Sequence, residues 1–447
     1  MDDPKELVRL DLEHVIHPMQ DQRHNQEGPL VIVEGKGAII KDAQGKEYID
    51  GLAGLWNVAV GHGRAELAEA AAVQMRALGY ASGYAGSSNI PGIKLAAKLA
   101  EIAPGDLKAT YFTTGGAESN ESAFKIARFY WRMKGRPDKV KIISRQEAYH
   151  GLTAAAMQAT GMRNFWMQFE PAQPGFSHIP THYCFHCSLK KTYPECGVAC
   201  ADTLEQQILA EDSETVAAFI AEPVHGAAGV IPPPPEYFPR VREICTKYDV
   251  LFIGDEVITG FGRLGSWFGL QQWGVTPDLM TFAKAVTSAY APLGGVMVSE
   301  PIHQVFRELP AGTIFNHGYT YSLHPVCCAV AVANLDIFER EGLVEKARTT
   351  GKYFQARLRE LDSLPGVGEV RGLGLIAGIE LAADKKGTPL PSSMGAGMKV
   401  FKEAMARGLS FRAKGDTLNL CPPLVITEAQ IDSMVNILGE SIKVAVA

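Results

Sequence analysis

Between residues 140 and 299 the chain repeats one pattern. Short β-branched or apolar runs, "VKIISRQ" (140–146), "VAAFIAEPV" (216–224), "VLFIGDEV" (250–257), "LMTFAK" (279–284) and "GGVMVS" (294–299), are separated by segments such as "TLEQQILAE" (203–211) and "EYFPRVREICTKYD" (236–249). The runs are strand-like and the two longer spacers have helical periodicity. Alternation of this kind implies an α/β fold with a mostly parallel sheet. The ends of the chain read differently. "GKGAIIKDAQGKEYIDG" (35–51) has the form of an antiparallel hairpin, and from about Leu335 amphipathic helices alternate with scattered strands. The expectation is a large domain over residues 61–334 and a smaller α+β domain assembled from residues 1–60 and 335–447. A chain of 447 residues, 46% of them hydrophobic, is long enough to bury both cores.

Charge and hydropathy narrow the class of partner. A net charge of −6 disfavours nucleic acid or an anionic membrane. No apolar run is long enough to span a bilayer. The opening "MDDPKELVRLDLEHVIHPMQ" is charged and lacks the apolar core of a signal peptide, so a cytoplasmic location with reduced thiols is expected. Of the eight cysteines, Cys245, Cys327, Cys328 and Cys421 fall among apolar residues and read as core packing. Cys184, Cys187, Cys196 and Cys200, with His182 and His186, form "THYCFHCSLKKTYPECGVAC". C-x2-C followed by C-x3-C resembles a zinc knuckle, although the pairs stand closer together than in a usual zinc ribbon. The alternative is a surface insertion with free thiols.

In open parallel sheets, ligands sit beyond the carboxyl ends of the strands. Charged residues interrupt three apolar runs at such ends: Glu222 after "AAFIA", Asp255 and Glu256 after "LFIG", and Lys284 after "LMTFA". A lone buried acid is usually a satisfied structural group. An acid and a lysine at the ends of successive strands say more, because a desolvated lysine has a lowered pKa and can attack a carbonyl as a neutral amine. Upstream, "YFTTGGAESNESAFKIARFYW" (111–131) passes from a strand through Gly115 and Gly116 into a helix. That arrangement lets a phosphate approach backbone N–H groups at the helix N-terminus; an ordinary N-cap is the plainer reading. Tyr149 in "AYHGLT" is either a flat wall for an aromatic ligand or a core ring. A lysine nucleophile, a strand-end carboxylate, a phosphate cradle and a stacking ring together meet the needs of pyridoxal phosphate.

With these residues in place, the chain resembles the class III (ω-) aminotransferases, of pyridoxal-phosphate fold type I. The resemblance runs through "GLWNVAVGHG" (54–63), "FTTGGAESNESAFKIAR" (112–128), "AEPVHGAAGV" (221–230), "DEVITGFGRLGSWFG" (255–269), "AKAVTSAYAPLGG" (283–295), "NHGYTYSLHPVCCA" (316–329) and "CPPLVIT" (421–427), in that order. It implies that Lys284 is the Schiff-base lysine and proton shuttle, that Asp255 pairs with the pyridine nitrogen, and that Val257 and Tyr149 enclose the ring. Gly116 and Ala117 would bind the phosphate through N–H groups. Thr320 would reach the phosphate of a neighbouring subunit in a homodimer or dimer of dimers, and Glu222 would organise the site near the ring. The family commonly has Ser-Gly-Ser where this chain has Gly115-Gly116-Ala117, so two hydroxyls are missing. The cysteine segment also resembles one in ω-amine:pyruvate members, where it is not generally a metal site; no metal is expected.

On the substrate side, the resemblance makes Trp56 a pocket wall and Arg412 the residue that grips a substrate carboxylate, swinging away for an amine. Without it, a surface salt bridge is the plain reading of Arg412. "SFRAKGD" (410–416) reads as a mobile loop. Tyr84, Gly86 and Ser87 stand where many relatives carry bulky aromatics, leaving room for a polar ω-amino acid such as taurine or β-alanine. The expected reaction is amino transfer from a primary amine or ω-amino acid to pyruvate, by a ping-pong mechanism. A same-fold aminomutase or decarboxylating transaminase would differ in keto-acid consumption and release of CO2. A non-catalytic zinc-bearing interaction protein would bind zinc and show no chromophore.

Overall fold

The computed structural model describes residues 3–20, 28–84 and 86–446. Near the N-terminus, strands β1 (Ile32–Lys36), β2 (Ile39–Asp42) and β3 (Glu47–Asp50) form an antiparallel meander. The central sheet comprises β4 (Leu107–Thr113), β5 (Lys141–Arg145), β6 (Phe176–Ile179), β7 (Val216–Ala221), β8 (Leu251–Asp255), β9 (Leu279–Phe282) and β10 (Gly294–Ser299). Their order is β4-β10-β9-β8-β7-β5-β6. Pairing is parallel from β9 to β6, and β10 runs antiparallel to both of its neighbours. The apolar runs are therefore strands of a mostly parallel sheet. The reversal of β10 follows from its connection: residues 283–293 are too few for a helical crossover.

Strands β7, β8, β9 and β10 are buried along their whole length, as expected of a sheet covered on both faces. Phe219 and Ile220 of β7 and Phe252 and Ile253 of β8 are wholly buried, and each such side chain contributes about 1.5–3 kcal/mol relative to exposure. Those contacts fix the register: Phe219 lies opposite Phe252, Ala221 opposite Gly254, and Asp255 opposite Thr281. Glu222, Asp255 and Lys284 consequently leave the sheet at the same edge. The helix Gly116–Met133 follows β4 and buries Ala123, Phe124, Ile126, Ala127 and Trp131, a helical spacing that faces the sheet.

The C-terminal region adds β11 (Val367–Leu373), β12 (Ile376–Leu381), β13 (Leu409–Ser410), β14 (Arg412–Lys414) and β15 (Thr417–Leu420). β13 pairs in parallel with β3, so a strand from near the C-terminus completes the N-terminal sheet. The remaining four strands form a sheet in the order β11-β12-β15-β14. Among the described residues, no helix is long and apolar enough to cross a membrane.

Candidate active site

Beyond the carboxyl ends of β7, β8 and β9 lies a cavity of about 150 Å³, lined by Gly116, Ala117, Tyr149, Glu222, Asp255, Val257 and Lys284, among others. Asp255 is the last residue of β8 and is buried. Its Oδ2 lies 2.7 Å from His150 Nδ1 and accepts from Asn120 Nδ2 at 2.9 Å, while Oδ1 accepts from the Val257 N–H at 3.1 Å. Burial alone would raise the pKa of this carboxyl. The hydrogen bond and charge from His150, with help from Asn120 and Val257, outweigh burial and hold it below the usual value. Asp255 is thus kept as an anion at the floor of the cavity.

Glu222 is buried beside it and accepts from the N–H groups of Tyr149 (3.0 Å) and Gly226 (3.1 Å). Burial raises its pKa, and the charge of Asp255 adds to the rise. Glu256, the next residue after Asp255, points elsewhere. It accepts from the N–H groups of Gly269 and Leu270, both at 2.8 Å, and caps the short helix Gly269–Trp273. Burial pushes its pKa up to about 7. Of the two adjacent acids, then, Asp255 faces the cavity and Glu256 is structural.

Lys284 reaches the cavity from just past β9. Enclosure by protein lowers its pKa, opposed by the charges of Asp255 and Glu222. Among the described residues, none accepts a hydrogen bond from its amine. Its backbone has φ +51°, in the left-handed region, as do Ser288 (+48°) and Ala289 (+65°) in the same connection. A lysine held in that region costs on the order of 1–3 kcal/mol, and such strain clusters at functional sites.

The helix Gly116–Met133 presents its N-terminus to the same cavity. Its cap, Gly115, makes no side-chain cap bond, and first-turn N–H groups have no partner within a helix. Glu118 turns away to accept from the Thr114 N–H (2.9 Å) and hydroxyl (2.8 Å). Gly116 is required here, because a Cβ would lie 2.8 Å from Val257 Cγ1. Gly151 (φ +114°) packs likewise against Ala117, where a Cβ would come within 2.6 Å. Val257 and Tyr149 line the cavity between these elements, with Tyr149 set edge-on against Phe165 at 5.6 Å.

A second cavity, of about 330 Å³, adjoins the first through Lys284, Tyr149, Leu152 and Ile258, which line both. Its other walls include Trp56, Phe165, Arg412 and Lys414. Trp56 is buried. Arg412 opens β14 opposite Asn419, so the segment read as a loop is instead the edge strand of a hairpin turned by Gly415 (φ +56°). The short spacing between β14 and β15 hid that hairpin. Among the described residues, none pairs with the Arg412 guanidinium.

Thr320 lies outside both cavities of its own chain. It is exposed, and its carbonyl accepts from the Tyr80 hydroxyl at 2.8 Å. Tyr84 packs against the same segment, at Gly318. Cys184, Cys187, Cys196 and Cys200 are free thiols around a pocket of about 20 Å³. Among the described residues, no group of three or more His, Cys, Asp or Glu could hold a metal ion. Sequence reasoning passed over Asn120 and His150, which hold Asp255. Asn120 could have been found, since it lies one helical turn after Gly116 and so on the same face. His150 stands next to Tyr149, but nothing in its local sequence points to a carboxylate 105 residues away.

The model of the family Aminotransferase class-III matches residues 20–442. A putrescine–pyruvate aminotransferase of Pseudomonas aeruginosa is 42% identical over 435 residues, covering 97% of this chain and 95% of that protein. Among solved structures, a thermostable (S)-enantioselective omega-transaminase from Thermomicrobium roseum is 45% identical with a TM-score of 0.97, each chain covered completely. An omega-transaminase from Pseudomonas jessenii, solved in complex with PMP, is 38% identical with a TM-score of 0.95, over 98% of both chains. The chain belongs to the class-III aminotransferases, enzymes of pyridoxal-phosphate fold type I that depend on that cofactor.

The residues present fit the cofactor. Asp255 Oδ1 accepts a single hydrogen bond and can take another from a ring N–H. The Lys284 amine, without a hydrogen-bond acceptor among the described residues, the helix N-terminus at Gly116 and the side chains of Tyr149 and Val257 surround the same space.

Proposed function

We propose that this transaminase moves the amino group of a primary amine or ω-amino acid, of the taurine or β-alanine kind, to pyruvate, using one site for both half-reactions. The observation that carries this reading is Arg412, unpaired among the described residues, on the wall of a cavity that shares Lys284 with the Asp255 cavity. A free guanidinium there is a bidentate receptor for a carboxylate. The putrescine–pyruvate specificity of the Pseudomonas aeruginosa relative supports a terminal amine donor and pyruvate as acceptor.

When bound, pyridoxal phosphate supplies an aldehyde that accepts the amino group and a ring that withdraws electrons. Asp255, kept anionic with the help of His150, would accept the ring N–H and favour a protonated nitrogen. The N–H groups of Gly116 and Ala117 would donate to the phosphate, with the helix dipole behind them. Val257 and Tyr149 would enclose the ring. The Lys284 amine, its pKa lowered by enclosure, would be the group that holds the cofactor and would serve as the proton carrier beside it. Glu222 orders the backbone beside Tyr149. Trp56 excludes water from the substrate side.

Losing a bidentate charge-assisted pair costs about 1.5–3 kcal/mol, or roughly 10- to 150-fold in affinity. Arg412→Ala is therefore expected to raise the apparent KM for pyruvate by that order, with a much smaller effect on an uncharged amine. Stopped-flow measurement of the two half-reactions checks this; equal losses in both would make Arg412 structural.

The enzyme acts as a homodimer or larger. Thr320 lies on a surface that carries Tyr80, Tyr84 and Tyr321, all exposed, and exposed aromatic patches mark association surfaces. Across a two-fold interface, Thr320 would donate to the phosphate in the neighbouring subunit and so would replace one of the missing hydroxyls. Sedimentation is expected to show at least a dimer, and a fully active monomer would remove this assignment.

A further inference from the structure

Arg412 is not the sole cation on its strand. Lys414 lies two residues on in β14, opposite Thr417, and residues i and i+2 of a strand share a face. Both line the 330 Å³ substrate cavity. Two residues along a strand separate backbone positions by about 6.6 Å, and both side chains are long. Their charged ends can bracket a short dianion.

The bonding of Lys414 leaves its charge available. Its Nζ donates to Met162 Sδ at 3.2 Å, and a thioether is a weak acceptor. The nearest carboxylate, Glu147 Oε2, is 3.8 Å away, beyond hydrogen-bond distance. Both side chains keep substantial exposure, 35% for Lys414 and 49% for Glu147, and exposed pairs of that kind contribute little to stability. An ammonium has three donors to satisfy, and here they meet one sulfur atom and a loosely paired carboxylate at 3.8 Å. Burial lowers the pKa of Lys414, while the charge of Glu147 works to keep it protonated.

We propose that Lys414 is a specificity-determining residue that binds the second carboxylate of a four- or five-carbon 2-oxo dicarboxylic acid, so that such acids serve as amino acceptors beside pyruvate. This rests on the reading of the site as a transaminase with Arg412 at the first carboxylate. Arg412 takes the carboxylate next to the keto group, and Lys414 takes the distal one. Pyruvate, with one carboxylate, leaves Lys414 unused.

The test uses the holoenzyme charged with an amine donor, with pyruvate, 2-oxoglutarate and oxaloacetate as acceptors in turn. The quantity read is kcat/KM for each dicarboxylate relative to pyruvate. Lys414→Met is expected to lower that ratio about 10- to 100-fold, the scale of losing a charge-assisted hydrogen bond, and chiefly through KM. Lys414→Arg, which keeps the cation, is expected to retain most of it. An unchanged ratio in Lys414→Met, or an equal loss in both variants, would overturn the assignment, as would a wild-type enzyme that uses pyruvate and neither dicarboxylate. A wild type that uses no keto acid would instead overturn the transaminase reading beneath it.

Discussion

Lys284→Ala is expected to abolish turnover, by on the order of 10⁵-fold or more, the scale of deleting an enzyme's nucleophile. The expectation rests on position and on cost. The strand β9 delivers this side chain to a cavity where no described residue accepts a hydrogen bond from its amine. An ammonium there is partly enclosed and gains no acceptor among the described residues in return. Its backbone is also held at φ +51°, a conformation that lysine adopts only at a cost. Strain of this kind together with a missing partner is what a residue used for chemistry is expected to carry. Alanine inherits the backbone strain and removes the unpaired amine, so the variant should melt within a few degrees of the parent. Near wild-type transamination by a folded variant would end the account of Lys284.

Asp255→Asn is expected to slow both half-reactions by at least ~100-fold, the scale of losing one well-placed electrostatic group. The change keeps the shape and removes the charge. In the native site His150, Asn120 and the Val257 N–H all support the anion. An amide cannot keep the ring nitrogen protonated, and its NH₂ group must face one of these donors. Single-turnover rates within a few-fold of wild type, in a variant that still binds cofactor, would exclude this role for Asp255.

Much of this site is legible in the sequence because strand ends are. An apolar run that stops at a charge marks a place where a buried strand meets a ligand edge, and Glu222, Asp255 and Lys284 all follow that rule. Gly116 is legible too, as a small residue between a strand and a helix. What could not be read depends on contacts distant in sequence. Strand β6, with burial weaker than that of its neighbours, lacks the strong apolar run that marks them. The pairing of β13 with β3 joins residues 360 apart through only two positions. The antiparallel course of β10 lies in the length of a connection, not in the strand itself. Glu256 shows the reverse difficulty: beside Asp255 it looks equally functional, and only the turn at Gly269 and Leu270 reveals it as a cap. Arg412 and Lys414 required the β14–β15 hairpin before their shared face became visible.

Lys284 is proposed as the residue that carries the cofactor. Borohydride reduction of the holoenzyme, followed by proteolysis and mass mapping of every lysine-containing peptide, tests it directly. A single pyridoxyl modification is expected, on the peptide containing Lys284, in an amount that matches the bound cofactor. The modification on a different lysine, or none in a holoenzyme whose cofactor is fully bound, would contradict it.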